Sequence, residues 1–184
     1  MKRKTEFDES KIYQVSTKEQ VISAYLDSFG IEKVHFRMFE YESKKNIDIY
    51  VDFATISLVA NDIANGRIFK QASEKGYYQI VINGIPKAKN RKNNPESRRL
   101  YVALGQFKNG SPKIYLNGAI GNGRVTETGA IMPNGEPDTK ISVGMTYEEF
   151  CKLFLYTHDV VCAYLPRMVI DMVKQAEINR ENSK

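Results

Sequence analysis

The sequence predicts an α+β fold: a curved antiparallel β-sheet meander packed against a C-terminal helical segment, preceded by an N-terminal helix and a hairpin. Apolar residues alternate with a period of two through the middle of the chain, and they recur at helical spacing from Tyr147 onward. The 184 residues, 42% hydrophobic and 27% charged, match one globular domain. We expect a flexible arm over 1–15, a single α+β domain over 16–165 and a C-terminal helix over 166–184.

The N-terminal helix is predicted from a start signal and a stop signal. Thr17 and Gln20 have the spacing of a capping box, and Gly30 follows the last apolar residue of the helical pattern. Apolar and polar residues then alternate, which predicts a two-stranded hairpin, and a helical stripe comes next. The predicted elements are a helix over 17–29, a hairpin over 33–53 and a helix over 54–65.

The middle of the chain has the clearest strand pattern. Leu100, Val102 and Leu104 share one face of a predicted strand, and Ile114 and Leu116 continue that face after an Asn-Gly turn. Before and after these strands we expect the following elements: a basic loop over 86–98, a glycine-rich turn over 118–123, a strand around 125–132, a turn at 134–135 and a strand ending at 143. The prediction is a meander of four or five strands, with only two strands in the first half of the chain.

The C-terminal part begins with a second capping box. Thr146 and Glu149 have the required spacing, and Met145 with Phe150 fits a hydrophobic staple. Pro166 should divide the following helix, because proline removes a backbone donor. The second helical piece carries an apolar stripe, so we expect it to form a dimer contact.

The distribution of charge indicates an anionic partner. The chain has a net charge of +5, but the segment 67–124 alone has twelve basic and two acidic residues, a net charge of +10. The remaining residues sum to −5. A strongly cationic third of the chain favours association with nucleic acid or another acidic surface.

The second face of the predicted strands combines cations with aromatic rings. Single-stranded nucleic acid exposes phosphates and unstacked bases together, so a binding protein needs Lys or Arg beside Tyr or Phe. The loop lysines are expected to close over a strand that lies on this face, adding salt-sensitive affinity. The predicted nucleic-acid-binding residues are Lys87, Lys89, Arg91, Lys92, Arg98, Arg99, Tyr101, Phe107, Lys113, Tyr115 and Arg124. The alternative is a two-sided sheet that the N-terminal half covers, with a solvated basic loop.

The first hairpin carries a similar mixture of residues. His35, Arg37, Phe39 and Tyr41 alternate with apolar residues there. They are either additional ligand contacts or the charged and aromatic residues that protect edge strands from aggregation.

Enzyme and cofactor chemistry is not expected. Two histidines far apart in sequence, without a nucleophile-elbow or zinc-protease motif, do not supply a catalytic set. Cys151 lies too far along a helix from His158 to share one metal ion, so we expect no metal site and no cofactor. The two cysteines are too few for a disulfide framework, and no apolar run is long enough to span a membrane; we expect a cytoplasmic protein.

One segment resembles a known class of proteins. The residues over 140–153 read KISVGMTYEEFCKL, and this strand leading into a helix is similar to the end of the positive-cofactor-four and Whirly class of single-stranded DNA-binding proteins. In that class, a curved antiparallel sheet precedes a helix that begins Thr/Ser-x-Glu-x-aromatic. The resemblance implies a homo-oligomer joined through helices, with DNA on the basic and aromatic sheet face, and it makes 47–65 the matching end of a first repeat.

The sequence therefore supports two hypotheses from different classes. The first is a non-catalytic protein that binds single-stranded DNA or RNA with little sequence preference and forms a homodimer or higher oligomer. The alternative is a protein-interaction module, or an inhibitor from a mobile element, whose basic face docks on an acidic protein surface. A regulator of duplex DNA is less favoured, because the predicted helix over 54–65 has no Lys or Arg.

Overall fold

The chain folds as two successive repeats of four antiparallel strands followed by a helix. The structure, a computed structural model, describes residues 10–181. The first repeat consists of β1 (Lys11–Ser16), β2 (Gln20–Tyr25), β3 (Lys33–Glu40), β4 (Asn46–Asp52) and α1 (Phe53–Ala64). A second helix, α2 (Arg67–Lys75), leads to the second repeat, which consists of β5 (Tyr78–Ala88), β6 (Asn94–Gln106), β7 (Pro112–Val125), β8 (Ile131–Met145) and α3 (Tyr147–Glu181).

Each repeat contributes one sheet, in which the strands follow sequence order. The first sheet has the order β1-β2-β3-β4 and the second the order β5-β6-β7-β8. The last buried pair before the helix is Val34 with Val51 in the first sheet and Ile114 with Met145 in the second. These two pairs align the repeats residue by residue.

The hydrophobic core lies between the inner faces of the sheets and against the helices. Alternate residues such as Phe36, Leu100 and Leu116 are fully buried there. The helices complete the core with aromatic contacts, since the rings of Phe36 and Phe154 lie 5.5 Å apart and those of Phe53 and Tyr164 lie 6.2 Å apart. The α+β class and the C-terminal helix packed on a sheet are confirmed.

Side chains of the second sheet hydrogen bond to the edge of the first. The Nδ2 atom of Asn83 donates to the backbone oxygen of Tyr50 at 2.7 Å, and Nη1 of Arg98 donates to the backbone oxygen of Asp48 at 2.7 Å. Both oxygens belong to β4, the edge strand that ends the first sheet. The two contacts satisfy edge acceptors that would otherwise need water.

The predicted N-terminal helix is wrong, because this region forms β1 and β2. Thr17 and Gln20 form a tight turn between the two strands: the Thr17 amide donates to the Gln20 oxygen at 2.8 Å, and the Gln20 amide donates to Thr17 Oγ1 at 2.9 Å. The expected arm also overlaps β1, whereas residues 1–9 of that arm lie outside the described residues. The first half of the chain therefore has four strands instead of two, since pairing with β3 holds β2 extended.

Three predicted turns and loops in the second half are also replaced by strand. The expected basic loop over 86–98 is largely the ends of β5 and β6, joined by a short 3-10 helix, Lys89–Arg91. The expected glycine-rich turn lies inside β7, and the expected turn at 134–135 lies inside β8, where the pairing with β7 is irregular. Gly123 is needed inside a strand because a Cβ there would lie 2.7 Å from the side chain of Ile131.

The C-terminal helix is one element, not the two pieces expected. Pro166 lies inside α3, which runs from Tyr147 to Glu181. Because proline has no backbone N–H, the carbonyl of Cys162, four residues earlier, lacks its helical donor. Cys162 and Pro166 are both exposed, so water can donate to this carbonyl instead. In the described part of the chain, no helix is both long and apolar enough to cross a membrane.

Candidate nucleic-acid interface

Cations and aromatic rings share the outer face of the second sheet, as the alternation predicted. The residues between them in sequence, Leu100, Val102, Ile114 and Leu116, are buried in the core, although the expected Leu104 is 40% exposed. The strand pairing aligns three rows across the outer face: Arg99 with Ala119 and Lys140, Tyr101 with Asn117 and Ser142, and Ala103 with Tyr115 and Gly144. We call this surface the basic-aromatic face.

The Tyr101 ring is the centre of one half of the basic-aromatic face. The guanidinium carbon of Arg99 lies 5.6 Å from its centroid, and the Lys140 ammonium lies 5.8 Å away. The Tyr77 and Tyr101 rings are nearly perpendicular, with their centroids 6.1 Å apart. Cation–π contacts at exposed positions contribute only about 0.5–1 kcal/mol each, so these cations can exchange the ring for a phosphate at little cost.

Lys113 and two aromatic rings form the other half. The Lys113 ammonium lies 4.6 Å from the Tyr115 centroid and 5.1 Å from the Phe107 centroid. Two glycines leave room for these side chains to lie across the sheet: a Cβ at Gly105 would be 2.6 Å from Tyr115 Cε2, and a Cβ at Gly144 would be 2.0 Å from Lys113 Cε. A side chain at either glycine would therefore displace Tyr115 or Lys113 from its present position.

An open depression lies on each side of the pair Lys113 and Tyr115. One, of about 320 Å³, is bounded by the β1–β2 turn, residues 17–20. The other, of about 610 Å³, is bounded by the β6–β7 turn, which includes Phe107 and Lys108. The two depressions share Lys113 and Tyr115 as their common border, so a chain that crosses the sheet here would pass over both residues.

Two of the predicted arginines, Arg91 and Arg98, are half-buried and bound to a buried carboxylate. Glu96 is fully buried, and its carboxylate accepts hydrogen bonds from Asn90 (2.9 Å), Arg91 (3.0 Å) and Arg98 (2.8 Å). Arg91 also binds the carboxylate of Asp138. Burial raises the pKa of Glu96, but the hydrogen bonds from Asn90, Arg98 and Arg91 outweigh it, and the pKa is lowered.

The structure thus separates the predicted site residues into groups. Arg99, Tyr101, Phe107, Lys113 and Tyr115 come together on the basic-aromatic face, whereas Arg98 points to the opposite face. The exposed cations at the far strand ends are Lys87, Lys89, Lys92 and Arg124. Nine residues separate Asn94, the first residue of β6, from Ala103 beside Tyr115, or about 30 Å of strand, so the expected loop does not close over Tyr115.

Tyr77, Lys140 and the β1–β2 turn also lie at the basic-aromatic face, although they were not among the predicted site residues. The alternation of residues along a strand could have predicted the position of Lys140, because Lys140 lies two residues before Ser142 and therefore on the same face. The same alternation could have predicted the position of Tyr77, because it directly precedes β5 and alternates with the buried residues Tyr78 and Ile80. The turn comes from the other repeat, so its position depends on tertiary packing alone.

The outer face of the first sheet has a different electrostatic character. His35 is 2% exposed, with Nδ1 at 2.9 Å from Asp27 and Nε2 at 2.8 Å from Asp48. Burial lowers the pKa of His35, but the hydrogen bonds and charges of Asp48 and Asp27 raise it by more. Arg37 donates to the same Asp48 at 2.7 Å, so His35 and Arg37 are both already paired with carboxylates.

Phe39 and Tyr41 are the other two residues of the first hairpin that were considered as ligand contacts. Their rings contact each other, with centroids 5.6 Å apart. Across the described residues, no group of three or more Cys, His, Asp or Glu side chains is arranged to hold a metal ion.

In comparisons with known proteins, no family model, curated protein or solved structure matched the chain.

Proposed function

We propose that this protein binds single-stranded nucleic acid on the basic-aromatic face. The observation that carries the proposal is that Tyr101 and Tyr115 lie on one face of the second sheet, each within 6 Å of a Lys or Arg cation. Unpaired bases can stack on the two rings while the cations neutralise adjacent phosphates. A duplex keeps its bases stacked on each other and offers this face only phosphates.

The polar groups between the rings support weak sequence preference. Asn117 lies next to Tyr101, but its Oδ1 accepts from Ser142 at 2.7 Å and its Nδ2 donates to the Tyr115 oxygen at 3.0 Å. Gln79, on the other side of Tyr101, donates to two backbone oxygens. Reading of base edges requires unoccupied donors and acceptors, and these amides are already engaged.

The repeated order of four strands and a helix also supports the resemblance to the positive-cofactor-four and Whirly class. That class has a curved antiparallel sheet followed by a helix, and both halves of this chain have this order. The capping box of the resembling segment is formed: the Thr146 amide donates to Glu149 Oε2 at 2.8 Å, and the Glu149 amide donates to Thr146 Oγ1 at 3.2 Å.

The test is a titration of a labelled strand of about 30 nucleotides, followed by fluorescence anisotropy at low and high salt, with a duplex of equal length alongside. Tyr101→Ala and Tyr115→Ala should each weaken single-strand binding by about 5- to 150-fold, because stacking contributes about 1–3 kcal/mol per base. Tyr156→Ala, in α3, is the matched control. Equal affinity in all three variants would refute the stacking role, and absence of binding by the unaltered protein would favour the acidic protein partner.

We also propose that the protein forms homo-oligomers through the distal part of α3. Val169, Ile170 and Val173 are each more than half exposed there, at spacings that bring them near one another on the helix. A second copy of the same stripe would bury them. Val169→Glu should lower the molar mass measured by light scattering, whereas a monomer at micromolar concentration in the unaltered protein would contradict the proposal.

A further inference from the structure

A second depression, in the first repeat, occupies the position equivalent to the one beside Lys113. Counting from the last buried pair before each helix, Lys33 is equivalent to Lys113 and Tyr50 to Gly144. The depression beside Lys33 and Tyr50 has a volume of about 240 Å³, and β5 and β6 of the other repeat close its far side. Each repeat therefore forms one such cavity against the other repeat.

We propose that this depression, which we call the Tyr50 site, is a second site for an unpaired nucleotide, with the base on Tyr50 and the phosphate at Lys33. The choice of ligand class rests on the proposed function. The site does not repeat the residues of the basic-aromatic face. Tyr50 lies on β4, the last strand of its repeat, whereas Tyr115 lies on β7, the third strand of its repeat. In the first repeat the aligned pair on the last two strands is His35 with Tyr50, and in the second it is Tyr115 with Gly144.

The Tyr50 ring is held in position for stacking. It lies parallel to the His35 ring, with centroids 4.7 Å apart and planes inclined by 19°. His35 is in turn fixed by Asp27 and Asp48, as described above. His35 covers one face of the Tyr50 ring, and the tyrosine also lines the depression, so a base there would extend an existing stack.

The remaining lining suits the base and the phosphate of a nucleotide. Ile31 is 64% exposed and Ile85 is 39% exposed, and both border the depression with apolar surface. The charged groups of the lining are Lys33 and Arg98, both positive. Lys33 pairs with Asp52 at 3.4 Å where both side chains are more than one third exposed, which makes the pair weak enough to exchange for a phosphate.

The size of the depression limits the ligand to about one base. Cavities that enclose drug-sized molecules have volumes of about 300–1,000 Å³, and the Tyr50 site, at about 240 Å³, falls below that range. Arg98 cannot move freely toward a ligand, because Glu96 and the Asp48 oxygen hold it. Lys33 is therefore the mobile cation of the site, and Arg98 contributes a fixed positive charge.

The test combines one pair of matched variants with photocrosslinking. Ile31→Glu places a negative charge at the rim of the Tyr50 site, and Leu58→Glu makes the same kind of change at a residue that is also 64% exposed but lies in α1. Ile31→Glu should weaken the binding of a strand of about 30 nucleotides by at least about fivefold, and Leu58→Glu should leave it unchanged. A strand containing 5-iododeoxyuridine should crosslink to Tyr50 as well as to Tyr101 or Tyr115 in the unaltered protein.

The outcomes separate this inference from the proposed function. Binding by the unaltered protein, without a crosslink at Tyr50 and with unchanged affinity in Ile31→Glu, overturns the Tyr50 site and leaves the basic-aromatic face standing. Crosslinks at Tyr50 alone support the Tyr50 site and overturn the basic-aromatic face. Absence of binding by the unaltered protein overturns both. Ile85→Glu, assayed alike, replaces Ile31→Glu if thermal unfolding shows that the latter is misfolded.

Discussion

Met38 packs directly on Gly118, and the two residues occupy equivalent positions in the two repeats. A Cβ at position 118 would lie 2.5 Å from Met38 Sδ and 3.3 Å from the Cγ2 atom of Ile47. The inner faces of the two sheets are thus in close contact at a point where one repeat has a long flexible side chain and the other has none. Eighty positions separate these residues in the sequence, so only the packing of one sheet on the other brings them together.

Replacement of Gly118 should destabilise the fold. Gly118→Ala is expected to lower the free energy of unfolding by about 1–3 kcal/mol, because an added methyl group in a packed core forces neighbouring side chains to shift. Urea denaturation followed by circular dichroism measures the change. Gly30→Ala is the control, since nothing lies within 4 Å of a Cβ there. Equal loss in both variants would show that the effect comes from the glycine backbone and not from the contact with Met38.

Gly144 should matter for binding more than for stability. A Cβ at this position would meet the Cε and Nζ atoms of Lys113, the far end of a flexible side chain that can move away. Gly144→Ala should therefore keep the melting temperature close to that of the unaltered protein while single-strand affinity falls, because Lys113 leaves its place beside Tyr115. Anisotropy titration and thermal unfolding on the same samples test this. Unaltered affinity would remove Lys113 from the proposed interface.

The salt dependence of binding should identify the cations that contact phosphates. Replacing Arg99, Lys113 and Lys140 together by glutamine should reduce the slope of log affinity against log salt by about 2, since each phosphate contact to a single strand contributes about 0.7. The control replaces Lys45, Lys70 and Lys75, which changes the net charge equally but lies outside the basic-aromatic face. If the two triple variants lose the same slope, the attraction is a property of net charge alone.

Stability should fall as pH rises above about 6.5 because of His35. The pKa of His35 is raised in the folded state above its unfolded value of about 6.5. Its stabilising contribution is therefore fully present below about pH 6.5 and is lost as pH rises through the folded pKa. The groups around it include Asp27, Asp48, Tyr25 and Tyr50, with Arg37 bound to the same Asp48.

Urea unfolding between pH 6 and pH 9 measures this effect. His35→Gln should unfold more easily at pH 6, by about 2–4 kcal/mol, because two carboxylates lose a buried partner, and its stability should vary less with pH. His158→Gln replaces the other histidine of the chain and should retain the pH dependence of the unaltered protein. A pH dependence that survives in His35→Gln would assign it to a different group.

Elements with a strong local pattern were predicted correctly. The alternation over 99–107 and 113–117 placed Leu100 and Leu116 in the core and Tyr101 and Tyr115 on the other face. The helix predicted over 54–65 is α1, Phe53–Ala64, and the helix predicted from Tyr147 is α3. These predictions succeeded because the period of the apolar residues and the capping residues act within a few positions of each other.

The two Thr-x-x-Glu/Gln segments show where local patterns stop being sufficient. Thr146 and Glu149 begin a helix, whereas Thr17 and Gln20, with the same spacing, close a turn between two strands. The difference arises from partners far along the chain, since β3 pairs with β2 and holds it extended. Hydrogen bonds between strands can outweigh a local helix signal of about 1 kcal/mol.

The availability of the positive charges is likewise a tertiary property. The order of the amino acids alone shows twelve basic residues from Arg67 to Arg124 and rings that alternate with cations along two strands. Only the folded chain buried Glu96 between Arg91 and Arg98, brought Lys140 to Tyr101, and carried the β1–β2 turn to the border of the interface. The physical reason is that a cation held by a buried carboxylate is not free to bind a ligand, and that such pairing depends on distances that sequence separation does not encode.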